Sequence, residues 1–205
     1  MPKDSVTGII MATLLEAKPF VEHLSLKAYA HEPFEAYKNG HIRLVVSGMG
    51  KSDAAMAATW LILTEHPSQI FNLGAAGAMN HTHNLGETLH ISKVIEPDRP
   101  ILGTDRFHEH IPDMLQGFAT AVLATQDKPV ILPEERDKLS ARAQLADMEG
   151  AAVVQTCRRF KIPCYLFKFV SDTPENHCIR ENIECYRESF CQSVMSVIAE
   201  ELDEK

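Results

Sequence analysis

Several signatures are missing from this sequence, and each absence removes a class of function. There is no run of Lys or Arg, and the formal net charge is −8. The basic patch of a general nucleic-acid or anionic-membrane binder is therefore lacking. No apolar run approaches the roughly 20 residues of a membrane span. The opening MPKDSVTGIIMATLLEAKPF does not have a signal peptide's layout, because Glu16 and Lys18 follow the apolar part at once. The five cysteines (Cys157, Cys164, Cys178, Cys185 and Cys191) form no CxxC. An odd count without that spacing points to reduced thiols in a cytoplasmic protein rather than to a disulfide frame or a zinc site. Cys178 and Cys185 are expected to share a helix face as buried structural thiols. No internal repeat, linker or low-complexity tract stands out.

Two familiar glycine motifs also fail. Gly50-Lys51-Ser52 has the ending of a phosphate-binding P-loop, but Val45 stands where that motif requires glycine. A dinucleotide GxGxxG fails because Asp53 occupies its third glycine position. His81-Thr82-His83 and His108-Glu109-His110 lack a clear third ligand and read as polar loop residues. Neither a metal nor a cofactor is expected.

What remains is an ordinary globular composition, 205 residues with 45% hydrophobic and 23% charged. That is enough for one well-buried α/β domain spanning 1–205. Val6 to Thr13 reads as a buried strand, and Leu14 to Phe20 as the start of a helix. Phe34 to Tyr37 and His41 to Val46 read as strands around Lys38-Asn39-Gly40, a hairpin signal. Ser47-Gly48-Met49-Gly50-Lys51-Ser52 is a glycine turn before a small-residue helix, Asp53 to Leu63, and can present N–H groups to a ligand oxygen. Gln69 to Leu73 is the next strand, and Gly74-Ala75-Ala76-Gly77-Ala78-Met79 reads as a tight turn whose small residues let backbone approach a ligand.

Thr88 to Ile95 reads as a strand ended by Glu96-Pro97-Asp98-Arg99-Pro100, with Pro100 to Pro112 loop-like. Gly117 to Ala124 is a strand, Pro133 to Leu145 a short helix, and Asn182 to Glu201 an amphipathic helix with Ile183, Tyr186, Phe190, Val194 and Ile198 at helical spacing. Strands alternating with helices imply an α/β fold, a single domain with a mixed central sheet flanked by helices.

The stretch ADMEGAAVVQTCRRFKIPCYLFKFVSD, residues 146–172, organises the rest. Glu149 opens a helix, Lys161-Ile162-Pro163 turns the chain, and the apolar run Cys164 to Val170 ends on Ser171-Asp172. In α/β proteins ligands collect beyond the carboxyl ends of strands, which places Asp172 at a site and lets the returning helix bring Glu149 towards it. Glu16 lies just beyond the first strand. On the residues alone, its plainer reading is a solvated first-turn carboxylate favoured by the helix dipole.

Asp147-Met148-Glu149-Gly150-Ala151-Ala152, followed by Val170-Ser171-Asp172, resembles the nucleoside phosphorylase/nucleosidase superfamily. Within it, the chain is most similar to the 5'-methylthioadenosine/S-adenosylhomocysteine nucleosidases. Ser47-Gly48-Met49-Gly50, Asn72 to Ala78 and Leu85-Gly86-Glu87 match further segments of that pattern, in the same order. The resemblance implies a nucleoside phosphorylase-like fold. It also implies a homo-oligomer, with a dimer favoured, and a small-molecule nucleoside partner, with no nucleic acid and no membrane.

The residue roles follow from the same resemblance. Glu16 would orient and activate water. Glu149 would grip the ribose hydroxyls, with Met148 beside the sugar. Asp172 would protonate or hydrogen-bond the base, steadied by Ser171. Ser47, Gly48, Ala76, Gly77, Asp127 and Val130 would complete the substrate contacts. Two departures stand out. Pro129 occupies the place of an aromatic that stacks the purine, and Lys168 that of an Arg near the water.

Cleaving an N-ribosyl bond builds positive charge on the sugar and negative charge on the base, so it requires carboxylates near one and an acid near the other. The implied activity is a nucleosidase acting on a purine-type nucleoside. A phosphate-dependent phosphorylase is the alternative, and a non-catalytic nucleoside-binding protein is the reading from another class. Futalosine or a hopanoid-linked adenosine are further substrates that the same motifs allow.

Overall fold

In the computed structural model, residues 5–203 are described. The first strand, β1 (Thr7–Met11), is buried throughout, as its unbroken apolar run requires. Thr13 then caps α1 (Leu14–His23) in a reciprocal capping box with Glu16. A short strand that the sequence did not suggest, β2 (Lys27–Ala30), precedes the hairpin of β3 (Glu35–Asn39) and β4 (Ile42–Val46), which pair antiparallel around Asn39-Gly40. Next come α2 (Lys51–Glu65), β5 (Gln69–Ala78), β6 (Thr88–Pro100), β7 (Phe107–His110) and β8 (Thr120–Thr125). The chain closes with α3 (Pro133–Ser140), β9 (Leu145–Asp147), α4 (Gly150–Phe160), β10 (Cys164–Asp172) and α5 (Ile179–Asp203).

The sheet is mixed, as expected, and β5 is its pivot. β5 runs parallel to β1 on one side and to β10 on the other. From β1 the sheet continues through β4 to the β3–β2 edge. From β10 it passes to β6, β8 and β9, and β9 returns to pair with the far end of β5 at Gly77 and Ala78. These five strands therefore close a ring, with β5 in both the ring and the open extension. This corrects the expected turn at Gly74–Met79: residues 74–78 are strand. Their smallness serves pairing on two sides, since bulky side chains here would fill the site that the ring surrounds.

Helices cover both faces. On one face α2 and α4 pack through Ala54, Ala57, Leu61, Val153 and Val154. On the other, α1 and α5 meet through Phe20 and Phe190, whose rings lie edge to face at 5.8 Å. Burial of each such ring contributes roughly 1.5–3 kcal/mol.

Other expectations need revision. β6 does not end at Ile95 but runs on to Pro100, and the supposed loop from Pro100 to Pro112 contains β7, which pairs with β6 across a bulge. Pro97 is tolerated because the ladder is irregular there. The helix expected from Pro133 to Leu145 stops at Ser140, and Leu145 begins β9. Cys178 and Cys185 are exposed rather than buried, while Cys157, Cys164 and Cys191 are buried. Among the described residues no helix is long and apolar enough to cross a membrane.

Candidate active site

The ends of β1, β5 and β10 and the start of α4 surround an open cleft of about 170 Å³, and Glu16, Glu149 and Asp172 all line it. Ala76, Gly77, Val130, Met148 and Ser171 line it too. The other expected residues lie off its wall. Ser47 Oγ donates to the Met11 and Gly48 carbonyls, Lys168 sits behind the wall, and Asp127 is exposed beside α2. Gly48 shapes the glycine turn, where it and Gly50 have φ of 89° and 104°, conformations that favour glycine.

Glu16 and Glu149 are held by backbone N–H groups, and Asp172 by side chains. Glu16 is 5% exposed, so the solvated first-turn reading does not hold. Its Oε2 accepts from the Thr13 N–H at 3.1 Å as the return half of the capping box, and its Oε1 accepts from the Ala75 N–H of β5 at 2.8 Å. Glu149 precedes α4 but does not cap it, because its Oε1 reaches across to the Gly50 N–H at 2.8 Å. Asp172 ends β10 after a bulge against β5, and a Cβ on Gly77 would stand 2.8 Å from its Oδ2. Glycine at 77 thus makes room for the carboxyl group.

Behind these lies a buried cation. Lys168 is 2% exposed, and its Nζ is 2.9 Å from Asp147 Oδ2. Asp147 also accepts from Thr125 Oγ1 at 2.5 Å and from the Gly150 N–H at 2.8 Å, so it caps α4 in Glu149's place. Burial pushes the Glu149 carboxyl up to about 7, Asp147's charge adds to that, and Lys168 and the Gly50 N–H act in the opposite sense. Burial works against the Lys168 charge, yet Asp147 and Glu149 outweigh it and raise its pKa. One ammonium therefore faces several carboxylates, an arrangement that favours positive charge arriving in the cleft.

The glycine turn is occupied in the same way. The Lys51 N–H donates to Asp127 Oδ1 at 2.8 Å, and Lys51 Nζ lies 2.7 Å from Asp98 and 3.3 Å from Glu96. Asp127 thus anchors the loop that carries Pro129 and Val130 to the N-terminus of α2 and stands outside the cleft.

Asp172 has a partner that the sequence did not reveal. Arg136 of α3 is 2% exposed, and its Nη2 donates to Asp172 Oδ2 within the buried interior. Nothing local marks Arg136, since the α3 sequence PEERDKLS is mostly polar and the pair forms only in three dimensions. Met79, Ile179 and Ile183 add apolar wall to the cleft. His83 and His110 pair with Glu87 and Glu96, and no group of three or more His, Cys, Asp or Glu among the described residues is placed to hold a metal.

The mixed α/β fold with acidic side chains around one cleft defines the class of protein, and the sequence comparison gives its family. The phosphorylase superfamily model matches residues 7–124 and 117–199, and the chain belongs to that family. It is similar to the 5'-methylthioadenosine/S-adenosylhomocysteine nucleosidase of Staphylococcus carnosus, 29% identical over 195 residues, covering 82% of this chain and 85% of the relative. Among solved structures, the Arabidopsis thaliana 5'-methylthioadenosine nucleosidase superposes with a TM-score of 0.85 at 21% identity, covering 95% of each chain. The futalosine hydrolase of Helicobacter pylori gives 0.85 at 19% identity, covering 96% of this chain and 98% of that one. At these identities the structural likeness speaks for the fold.

Proposed function

We propose that this protein is a nucleosidase that hydrolyses the N-ribosyl bond of a purine-type nucleoside. The observation that carries the reading is the occupancy of the anion-binding backbone. The Gly50, Lys51 and Ala75 N–H groups each donate to a carboxylate of the protein itself: Glu149, Asp127 and Glu16. Phosphate would have to displace one of these carboxylates and then sit beside the others, so water is the nucleophile the site favours.

In this reading Glu16, fixed by Thr13 and Ala75, takes a proton from the water. Glu149 accepts from the ribose hydroxyls, with Met148 against the sugar, and the surplus of carboxylates over Lys168 favours the cationic ribosyl group. Asp172, held by Ser171, meets the departing base. Lys168 balances charge through Asp147. Ala76, Gly77 and Val130 form the wall around the base, while Ser47, Gly48 and Asp127 hold the glycine turn and its loop in place. The names of the relatives, which include methylthioadenosine, adenosylhomocysteine and futalosine enzymes, support a purine-type nucleoside without choosing among them.

The same proposal takes residues 1–205 as one nucleosidase-like domain, supported by a sheet that links β1 to β10. It places the protein in the cytoplasm, supported by its free cysteines. It also takes the protein to be a homo-oligomer, with a dimer favoured, supported by the exposed apolar side chains Leu102, Ile111 and Met114.

The deciding measurement is the initial rate of base release from methylthioadenosine, adenosine and inosine, with and without phosphate. Release without phosphate is the expected result. Strict phosphate dependence would make the protein a phosphorylase, and binding without any turnover would make it a nucleoside-binding protein.

A further inference from the structure

Among the described residues, Arg136 is the one buried guanidinium whose partner is an expected site residue. Its Nη1 donates to the Ala78 carbonyl at 2.5 Å, and its Nη2 donates to Asp172 Oδ2. Its Nε is buried and finds no partner among the described residues. The other oxygen of Asp172, Oδ1, accepts from Ser171 Oγ at 2.8 Å, and the Ser171 carbonyl is in turn held by Asn182 Nδ2 at 2.7 Å. Both carboxyl oxygens are therefore oriented by the protein. Asp172 lines the cleft and Arg136 does not, so Arg136 stands behind the carboxyl group, on the side away from a ligand.

Stability gives a weak account of this arrangement. A buried ion pair is often no better for folding than an apolar pair of the same shape, and an unpartnered buried donor is a further cost. The pair makes sense if the charge on Asp172 changes during the reaction.

We infer that Arg136 is a positioning residue that acts on departure of the base through Asp172. The inference rests on the nucleosidase reading. In the step it serves, the bond between C1' and the base nitrogen breaks, and its electron pair goes to the base. Asp172, an anion paired with Arg136 at rest, takes a proton from solvent as the nucleoside binds and passes it to a base nitrogen. The water oxygen bonds C1', and the water proton goes to Glu16. The base leaves neutral, and Asp172 is left as a carboxylate. Arg136 meets that charge at Oδ2 and holds the group in register, so that the carboxylate does not repel the electron-rich base. Glu16 then releases its proton to solvent, and both carboxylates are restored for the next turnover.

The test compares Arg136→Met, Asp172→Asn, the double variant and Arg136→Lys on two substrates. One is the purine nucleoside that the wild type cleaves best. The other is 4-nitrophenyl β-D-ribofuranoside, whose leaving group departs as a stable phenolate and needs no proton. On the nucleoside, Arg136→Met lowers kcat by about 30-fold or more, within the range of a general-acid contribution, while KM changes by less than about 3-fold. Asp172→Asn shows the same pattern, and the double variant is no slower than the slower single variant, because the two residues act as a unit. Arg136→Lys restores part of the rate. On the phenyl riboside Arg136→Met and Arg136→Lys stay within about 3-fold of wild type, and circular dichroism shows that every variant has folded. Equal losses on both substrates, or a double variant whose loss is the product of the single losses, overturn the inference and leave Arg136 a structural residue. A wild type that cleaves neither substrate overturns the nucleosidase reading and this inference with it.

Discussion

Glu149 Oε1 accepts the Gly50 N–H at 2.8 Å and joins two segments 99 residues apart in the chain. The contact places a carboxylate where a helix N-terminus would otherwise receive a ligand anion. It also ties the start of α4 to the start of α2, the two helices that cover one face of the sheet.

Burial gives Glu149 a measurable pH signature, against which the Gly50 N–H works. Its carboxyl is pushed up to about 7 from the ordinary 4.5, first by burial and then by Asp147. Between these values the unfolded chain releases a proton that the folded protein keeps, so this group makes stability fall as pH rises through that window. Glu149→Gln cannot ionise. It should gain about 1–3 kcal/mol on wild type between pH 4.5 and pH 8, while losing most turnover. Urea denaturation of both proteins at the two pH values checks this. Parallel stability curves would sink the assignment.

Lys168 answers the opposite question, namely what holds the carboxylates together. Lys168→Met leaves Asp147 buried without its cation and removes an ammonium that acts on Glu149. The expected cost is about 3–5 kcal/mol of unfolding free energy, as for other broken buried pairs. Chemical denaturation at neutral pH measures it, and a loss below about 1 kcal/mol would contradict the pairing at 2.9 Å.

Gly77 separates activity from stability. A methyl group at this position would stand 2.8 and 2.9 Å from the two oxygens of Asp172. The side-chain carboxyl can move and the strand backbone cannot, so Gly77→Ala should displace Asp172. Misplacement by about 1 Å can cost about 100-fold. We expect kcat/KM for nucleoside hydrolysis to fall at least about 10-fold, with a much smaller stability loss than Lys168→Met. Unchanged kinetics would show that the carboxyl group does not need its present place.

Pro129 tests how the base is held. It lines the cleft on a loop pinned by Asp127 to the N-terminus of α2. An aromatic ring there would add a stacking surface worth about 1 kcal/mol or more. Pro129→Phe should therefore lower KM for the nucleoside by about 5-fold with kcat little changed. A raised KM would show that the loop cannot present a ring to the base.

Much of the architecture was legible in the chain. β1, β4 and β10 are apolar runs with clear ends, and Asn39-Gly40 marks its hairpin. Glu149 and Asp172 could be singled out because each sits at a junction of strand and helix, whereas Glu16 was singled out by the family resemblance. The errors fall where small residues carry two meanings. Gly74 to Ala78 has the composition of a turn, but β10 and β9 pair with it and draw it into the sheet. β7 and β9 were missed because each is short and gains its hydrogen bonds from distant strands.

The order of apolar runs, caps and glycine turns was enough to determine an α/β chain with its acidic residues at the ends of elements, because those signals act within a few residues. Which side chains meet was decided only by the folded arrangement. The pairing of Arg136 with Asp172, of Lys168 with Asp147, and of Glu149 with the Gly50 N–H depends on closure of the strand ring. No local rule encodes that closure, since a charge in the chain carries no mark of the partner that burial will force upon it.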